Sequence, residues 1–375
     1  MIETYSRFED CAADWAVLQH SGLATPYQTF DWLRCWCDAL AAPLGITPLL
    51  VVMRGKQHQP IALFPLGISL GKGLHIGVFL GGKHANMNMG LFDRSALAEL
   101  SGEAITAALR EVASRHQIDL FHFENQPRSW EGVTNPLASL AHQASPSSAW
   151  KATLQSDDEA MISSLMSSES RKKLRYKEKK LAEIGPFSIN QIAQADQIEA
   201  VLEAFFTQKA QRFGKLGIAD PFADAPVKAF IHAAARAGLA EGRPALSLFA
   251  LKAGERILSV FGGAIHAERF TGMFTSFDAD PEVAKYSPGD LLLLHLVRLM
   301  CRQGLHTFDL GTGDATYKND YCKTEEPLFD TLLPMTWRGH VGARMIAVLL
   351  AAKRRIKKSQ HGLALLKRLR GLKGT

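Results

Sequence analysis

Apolar and polar positions alternate along two segments of the chain in the manner of β-hairpins. Residues 48–68 and 245–265 each contain an apolar strand, a short polar turn with a glycine, and a second apolar strand. Turns of this composition, at 54–59 and 252–256, are typical of hairpins. The two segments align without gaps at an offset of 197 residues. We therefore predict two related hairpins, one in each half of the chain.

The pattern that follows each hairpin also recurs. In the first half, further strand precedes a helical pattern at 97–115 and an apolar strand at 118–123. In the second half, the corresponding helix is 290–302 and the strand is 305–310. A strand, helix and strand in this order produce one parallel crossover. The sequence thus predicts an α/β fold with a mixed sheet, present as a tandem duplication.

These patterns divide the chain into three parts. We predict a first unit at 1–145, a second at 146–335, and a basic amphipathic tail at 336–375. The second unit includes a polar, basic helix at 157–184, ended by Gly185 and Pro186. The Ser- and Pro-containing stretch 143–149 predicts a loop, followed by a strand at 150–154.

Composition indicates a soluble globular protein, with 47% hydrophobic and 21% charged residues. The first residues lack the apolar segment of a secretory signal, and no window is apolar enough to span a membrane. The five cysteines, an odd number without regular spacing, favour a reducing compartment. No Cys and His spacing is typical of a metal site. We therefore expect a cytoplasmic protein without a metal cofactor.

The net charge of +6 is unevenly distributed. From Arg338 onward the chain has 11 Lys and Arg and no acidic residue, which leaves 32 basic against 37 acidic residues elsewhere. The body therefore does not resemble a nucleic-acid-binding protein. The tail predicts an amphipathic helix, either docked on the body or in contact with an anionic membrane surface. The dense basic run 171–180 is either a solvated helix face or an anion-binding surface.

The stretch 286–318 contains most of the groups suited to chemistry. Ser287 is placed to cap a helix, and the free N–H groups of Gly289 and Asp290, with the charge of Lys285, suit a phosphate. Beyond this helix, four polar residues cluster at a strand end, where open α/β sheets bind ligands: Asp309, Asp314, Tyr317 and Lys318.

Each of these four residues has two possible roles. Asp309, in an apolar strand, is either a general base or a residue that shapes the following loop. Asp314 is either a loop cap or a carboxylate that binds an amine. Tyr317 is either the proton donor to a leaving thiolate or a packing residue. Lys318 either holds a phosphate or is solvated.

Several motifs, taken together, resemble one enzyme family. They are Phe30-Asp31-Trp32-Leu33, Ile61–Leu66, Phe79–Gly82, Arg171–Arg175, Phe277-Asp278, Ser287-Pro288-Gly289, Phe308-Asp309, Gly313-Asp314 and Tyr317-Lys318. The chain from about residue 20 to 325 resembles the cellulose-biosynthesis-type (CelD/BcsL) acetyltransferases. That group is a branch of the GNAT superfamily, related to the FemA/FemB/FemX peptidyltransferases. This chain lacks the usual glycine-rich pyrophosphate loop of GNAT enzymes.

The resemblance implies a tandem GNAT-like fold and acyl transfer from acetyl-CoA or another acyl-CoA to an amine or hydroxyl. An envelope or exopolysaccharide precursor would be the acceptor, bound by Trp32 and Phe277 together with polar groups of the first unit, His84, Asn86 and His122. His122, in an apolar strand, is alternatively a core histidine, and the 83–88 segment an ordinary loop. Two other functions stay open: Fem-like aminoacyl transfer from charged tRNA, with the basic helix on RNA, and a non-catalytic accessory module of polysaccharide synthesis.

Overall fold

The computed structural model describes residues 1–71, 73–313 and 316–358, with the backbone alone at 316, 317, 319 and 358. The strands are β1 (Ile2–Tyr5), β2 (Ile46–Arg54), β3 (Pro60–Gly71), β4 (Leu74–Phe79), β5 (Leu91–Phe92), β6 (Leu120–Pro127), β7 (Ser129–Trp130), β8 (Val133–Thr134), β9 (His142–Thr153), β10 (Phe187–Gln191), β11 (Ser247–Ala253), β12 (Arg256–His266), β13 (Arg269–Phe277), β14 (Thr307–Thr312) and β15 (Thr324–Pro334). The helices are α1 (Ala12–Ser21), α2 (Phe30–Trp36), α3 (Gly102–His116), α4 (Asp158–Leu165), α5 (Ser168–Ala182), α6 (Ala195–Leu216), α7 (Ala225–Arg236), α8 (Pro281–Ala284), α9 (Pro288–Arg302), α10 (Thr316–Tyr321) and α11 (Trp337–Lys358).

Among the described residues, the first compact unit comprises those of 1–149 together with 326–358. Its sheet has the order β1-β2-β3-β4-β6-β15. The β2–β3 hairpin is antiparallel, with Val51 opposite Phe64, and β4 pairs in parallel with β6. Helix α3 connects these two parallel strands and buries Ile105, Leu109 and Val112.

The second compact unit contains 150–325. Its strands follow the order β14-β13-β12-β11-β10. The β11–β12 hairpin is antiparallel, and β13 pairs in parallel with β14, with α9 between them in the chain. The core of this unit brings Phe249, Phe270 and Phe308 together under the leucines of α9. Burial of these side chains is the main stabilising contribution.

Both units thus have a hairpin, a further antiparallel strand, a helix, and a strand that pairs in parallel. The predicted mixed α/β fold and both predicted hairpins are confirmed. The division of the chain at 146–335 and 336–375 stays a prediction; among the described residues, 326–358 group with the first compact unit. The reason is the antiparallel pairing of β15 with β6, which joins Thr331 to Phe123.

Two local predictions were wrong. The stretch 143–149 is part of strand β9 rather than a loop. Its polar residues have partners far along the chain, since Ser145 Oγ donates to Asn125 and Lys357 donates to Ser147 Oγ. The helix predicted at 157–184 is two helices, because Met166 is extended and Ser167 begins α5 as its N-cap.

The tail was predicted to form a helix, and the structure has one there. Helix α11 begins at Trp337 and is described to Lys358. None of the helices in the described ranges is long and apolar enough to cross a membrane. No group of His, Cys, Asp and Glu side chains within those ranges could hold a metal ion.

Candidate active site

The start of helix α9 is built by an unusual backbone at Ser287. Its φ is +50°, in the left-handed region that side chains other than glycine rarely adopt. Ser287 occupies the N-cap position, as predicted, but its side chain makes no capping hydrogen bond. The position was therefore predicted correctly and the side-chain cap was not. Instead, Lys177 Nζ of α5 donates to Ser287 Oγ at 2.8 Å. The basic helix is therefore tied to the first turn of α9.

Few backbone N–H groups of this first turn remain for a ligand. Pro288 has no N–H, and those of Asp290 and Leu291 donate to the carbonyl oxygen of Ser287 at 3.1 and 3.2 Å. Asp290 N–H is thus already engaged, contrary to the prediction. Gly289 lies against the ring of Phe277, at the end of β13. An anion at this position would depend on cationic side chains as well as on the helix dipole.

Cationic side chains are present beside this turn. Lys177 is half-buried against it, whereas Lys285 lies at the surface, where it pairs with Glu282 and lies 5.2 Å from the ring centre of Tyr286. Burial raises the pKa of Asp290, and Asp320 adds to this effect while Lys177 opposes it.

Asp309 is fully buried on β14 and is held by several donors. Arg269 donates to its Oδ2 through Nη2 at 2.6 Å and through Nε at 3.1 Å, and Thr271 Oγ1 lies 3.4 Å away. The N–H of Gly311 donates to Oδ1 at 2.5 Å. The sequence allows two roles for Asp309, a general base and a residue that shapes the following loop. These contacts fit the second role, because they hold the strand end and the start of the loop in place.

Lys318 is also buried, and it closes the same loop. Its Nζ donates to the carbonyl oxygens of Thr312 at 2.6 Å and Gly311 at 3.4 Å. The structure therefore brings Lys318 and Asp309 to the two sides of one short segment. Asp314 and the side chain of Tyr317 lie outside the described residues.

Three predicted acceptor residues, Trp32, Asn86 and His84, lie in the first unit and take part in two sets of contacts there. Trp32 packs edge-on against Tyr27 at 5.4 Å, and the Tyr27 hydroxyl accepts from Asn86 Nδ2 at 2.6 Å. Nearby, Trp36 Nε1 donates to His84 Nδ1 at 3.1 Å. Burial lowers the pKa of His84 to about 4, so its ring is neutral near pH 7. A neutral ring has one nitrogen without a proton, and Nδ1 can therefore accept the N–H of Trp36.

His122 belongs to a different cluster, which sequence reasoning missed. Its Nε2 lies 3.9 Å from Glu124, beside Asp330 of β15. Asp330 is 1% exposed and accepts the N–H of Asn125 at 2.8 Å. Burial raises the pKa of Asp330. A lone aspartate in the apolar segment LFDTLL was the available signal, but its partner lies about 200 residues away.

The predicted site residues do not line the cavity of about 560 Å³ in the first unit. That cavity lies between α3 and the start of α11, where its charged lining residues are His75, Arg110, Asp119 and Arg338. The predicted cofactor-binding residues Lys285, Ser287, Gly289 and Asp290 lie instead in the second unit, at or just before the first turn of α9.

Comparison with known proteins finds a family model that matches this part of the chain. Residues 168–319 match the family model described as "Acetyltransferase (GNAT) domain". This match spans α5, the start of α9 and strand β14, and confirms the predicted GNAT-like α/β fold. A search of curated proteins found no sequence relative.

Solved structures share the fold at low sequence identity. FemX has a TM-score of 0.60 at 9% identity, covering 88% of this chain and 97% of FemX. A conserved protein of unknown function from Bacteroides thetaiotaomicron has a TM-score of 0.57 at 11% identity, covering 89% and 100%. The C-terminal domain of a putative lysylphosphatidylglycerol synthetase from Agrobacterium fabrum has a TM-score of 0.53 at 10% identity, covering 92% and 96%.

Proposed function

We propose that this protein transfers an acyl group from acetyl-CoA or another acyl-CoA to an amine or hydroxyl. The observation that carries the proposal is the GNAT family match over 168–319. The matched segment contains both the first turn of α9 and the lysine that contacts it. We regard the finer assignment, a cellulose-biosynthesis-type enzyme acting on an envelope or exopolysaccharide precursor, as part of this proposal.

The pyrophosphate of coenzyme A would lie at the start of α9. The dipole of a helix places partial positive charge at its N-terminus, and Lys177 adds a full charge within reach of that turn. Ser287 and Gly289 would approach the phosphate oxygens, and Lys285 would add charge from the surface. Because Asp290 and Leu291 already use their N–H groups, Lys177 would take the place of the missing glycine-rich loop.

Acyl transfer from a thioester requires a base for the nucleophile, donors for the tetrahedral oxyanion, and an acid for the departing thiolate. Asp314 is proposed to bind an amine acceptor, Tyr317 to protonate the departing thiolate, and water to carry the proton lost by the amine to solvent. Asp309 would position the strand end that precedes both residues in the chain, through Gly311 and Arg269. Its complete burial in an ion pair supports positioning over direct proton transfer.

Acceptor binding is assigned to the first unit. Trp32 contacts Tyr27, which bonds Asn86, and Trp36 bonds His84. Because Trp32 is only 1% exposed, it would support the pocket from beneath, and the half-buried Asn86 and His84 would meet a hydroxyl-bearing acceptor. His122 of the first unit lies outside these contacts, and Phe277 belongs to β13 of the second unit, beside Gly289; their roles in acceptor binding stay predictions.

The test is calorimetric binding of acetyl-CoA and longer acyl-CoAs to the full chain. Lys177→Ala should weaken binding about tenfold, since losing a hydrogen bond to a charged group costs about 1.5–3 kcal/mol. Lys179→Ala, exposed on the same helix, is the matched control and should bind as the wild type does. Ser287→Gly keeps the left-handed backbone while removing the hydroxyl, and should weaken binding less than Lys177→Ala does.

Failure of the wild type to bind any acyl-CoA would overturn the proposal. Equal losses in Lys177→Ala and Lys179→Ala would indicate a diffuse effect of charge instead of a site at α9. Retained partner binding without acyl-CoA binding would favour the non-catalytic accessory module.

A second candidate, aminoacyl transfer from charged tRNA, is favoured by the outer face of α5. Lys172, Lys173, Arg175 and Lys179 are exposed there. Exposed cations along a helix suit a phosphate backbone, and such binding falls steeply with salt. Salt-sensitive binding of charged tRNA, lost in Lys172→Glu with Lys179→Glu, would favour this candidate. Its absence would leave acyl-CoA as the donor.

A further inference from the structure

Helix α11 has two opposite faces, and the outer one is apolar. Toward the body of the first unit it buries Gly339, Gly342 and Leu350. Away from the body it presents five large apolar side chains at helical spacing: Trp337 (77% exposed), Val341 (52%), Met345 (51%), Val348 (68%) and Leu349 (60%). We call these five residues the outer face of α11.

Single exposed apolar residues are common, but a continuous row along three turns is not. The row cannot serve the core, because the helix already uses its opposite side for docking. Arg354 and Lys357 on the docked side donate to Ala144 and Ser147, which fixes the helix in this orientation. The outer face is therefore held toward solvent by the contacts of the other side.

The charged side chains of α11 are all of one sign. Arg344, Lys353 and Arg355 of this helix are exposed, whereas Arg338 donates to the carbonyl oxygen of Gly73 on the body. From Trp337 to Lys358 the sequence has no Asp or Glu. A second copy packed face to face would bring these cations together without acids to pair them. An anionic partner with an apolar interior matches both properties.

We infer that the outer face of α11 docks this protein on an anionic lipid surface. The apolar row would enter the boundary between headgroups and acyl chains, and the exposed Arg and Lys would contact lipid phosphates. The chemistry required of the partner is a negatively charged bilayer surface. This inference is independent of the proposed acyl transfer, since it concerns a helix outside the matched 168–319 segment.

The experiment is flotation of the full chain with vesicles. One set contains phosphatidylcholine only, and the other a mixture of phosphatidylcholine and phosphatidylglycerol, each at low and high salt. The wild type should float with the mixed vesicles and remain free with the neutral ones. Val348→Glu should weaken binding at least about tenfold, because it places a charge in the apolar row. Val17→Glu, at a position 54% exposed in α1, is the matched control and should bind normally.

A second pair of variants separates the cationic contribution. Arg344→Glu with Arg355→Glu should abolish the preference for anionic vesicles, whereas Lys172→Glu with Lys179→Glu, the same charge change on α5, should not. Circular dichroism of each variant checks that the fold is kept.

Three results would overturn the inference. The wild type could fail to float with anionic vesicles, or Val348→Glu and Val17→Glu could bind equally. Alternatively, light scattering could show a dimer that Val348→Glu dissociates, without vesicle binding by the wild type. That last result would assign the outer face to a second copy of the chain.

Discussion

Asp309 shows how one buried carboxylate can organise a strand end. It pairs with Arg269 in an environment where both side chains are almost fully buried, at 0% and 7% exposure. It also accepts the N–H of Gly311, the residue at which the chain turns with a φ of +68°. Desolvating both charges is unfavourable, so the pair persists through its hydrogen bonds and contributes order more than net stability.

Asp309→Ala should lower the free energy of unfolding by about 3–5 kcal/mol, because it leaves Arg269 buried without its partner. The double variant Arg269→Met with Asp309→Leu should recover most of that loss. Urea unfolding of the single and double variants measures both values. A single variant as stable as the wild type would contradict this account.

Lys209 on α6 is a cation surrounded by aromatic rings. Its Nζ lies 5.1 Å from the ring centre of Phe222, 5.5 Å from Phe213 and 5.9 Å from Phe205. Burial lowers the pKa of Lys209 to about 8, and Arg212 acts in the same direction. The aromatic faces oppose this shift, because they stabilise the charged form.

The lowered pKa of Lys209 predicts a pH-dependent stability. Between about pH 8 and 10.5 the unfolded chain holds more protons at this lysine, so stability should rise with pH. Lys209→Met should remove that rise and stabilise the fold at pH 7 by about 1–3 kcal/mol. Thermal unfolding from pH 7 to 11 measures the effect, with Lys215→Met on the same helix as control. An unchanged pH profile in Lys209→Met would refute the assignment.

At the scale of elements, α11 is seated by a close backbone approach. Gly339 lies so near the carbonyl group of Asp119 that a Cβ would overlap with it. The same aspartate accepts from Thr336 Oγ1 at 2.7 Å and from the N–H of Met335 at 2.8 Å. The first turn of α11 is thus fixed on the loop before β6.

Gly339→Ala should destabilise the first unit by about 1–3 kcal/mol, because a backbone oxygen cannot move aside for a methyl group. Gly342→Ala on the same face is the control. Its Cβ would meet only the flexible side chain of Leu74, at 2.5 Å. Its effect should be small, since alanine also favours helix. Hydrogen exchange of the α11 amides would localise the difference, and equal protection in both variants would contradict it.

The elements that sequence predicted well are those with local causes. The hairpins β2–β3 and β11–β12 are set by alternating apolar residues around a short turn, and the crossover helices α3 and α9 by their apolar spacing. Each of these elements is determined by residues that lie close together in the sequence. Helix α9 was placed within two residues at its start, because Pro288 and Gly289 mark the boundary.

The elements that were missed depend on distant partners. The serines at 145 and 147 are typical of a loop by composition, yet Asn125 and Lys357 supply their hydrogen bonds in β9. Likewise, Ser287 was a reasonable cap by type, but Lys177 takes its hydroxyl. Asp330 gave no functional signal without its contact to Asn125. No local pattern encodes these pairs.

At the scale of the whole molecule, the five cysteine thiols lie at different places in the fold but in similar, largely buried environments. None forms a disulfide, and four are buried, with Cys37 partly exposed. Burial raises the pKa of Cys35 to about 11 and those of Cys11 and Cys37 to about 12. It also raises the pKa of Cys301 and Cys322. The reactive thiolate is therefore scarce throughout the protein.

We expect the folded protein to resist a disulfide-exchange reagent at pH 8, with all five thiols reacting after denaturation. A time course of thionitrobenzoate release, with and without guanidinium, measures this. One thiol reacting fast in the folded protein would contradict it. Cys37→Ser would then show whether the partly exposed cysteine is responsible.

The pairing of β6 with β15 has a consequence for how the chain is made. Gln126 and Thr331 contact each other across 205 positions of sequence. A ribosome adds about 5–20 residues per second, so β6 emerges about 10–40 s before its neighbour exists. During that interval it is an edge strand open to other chains. The first unit can therefore close only late in synthesis, and until then β6 is a site where newly made chains could pair with one another.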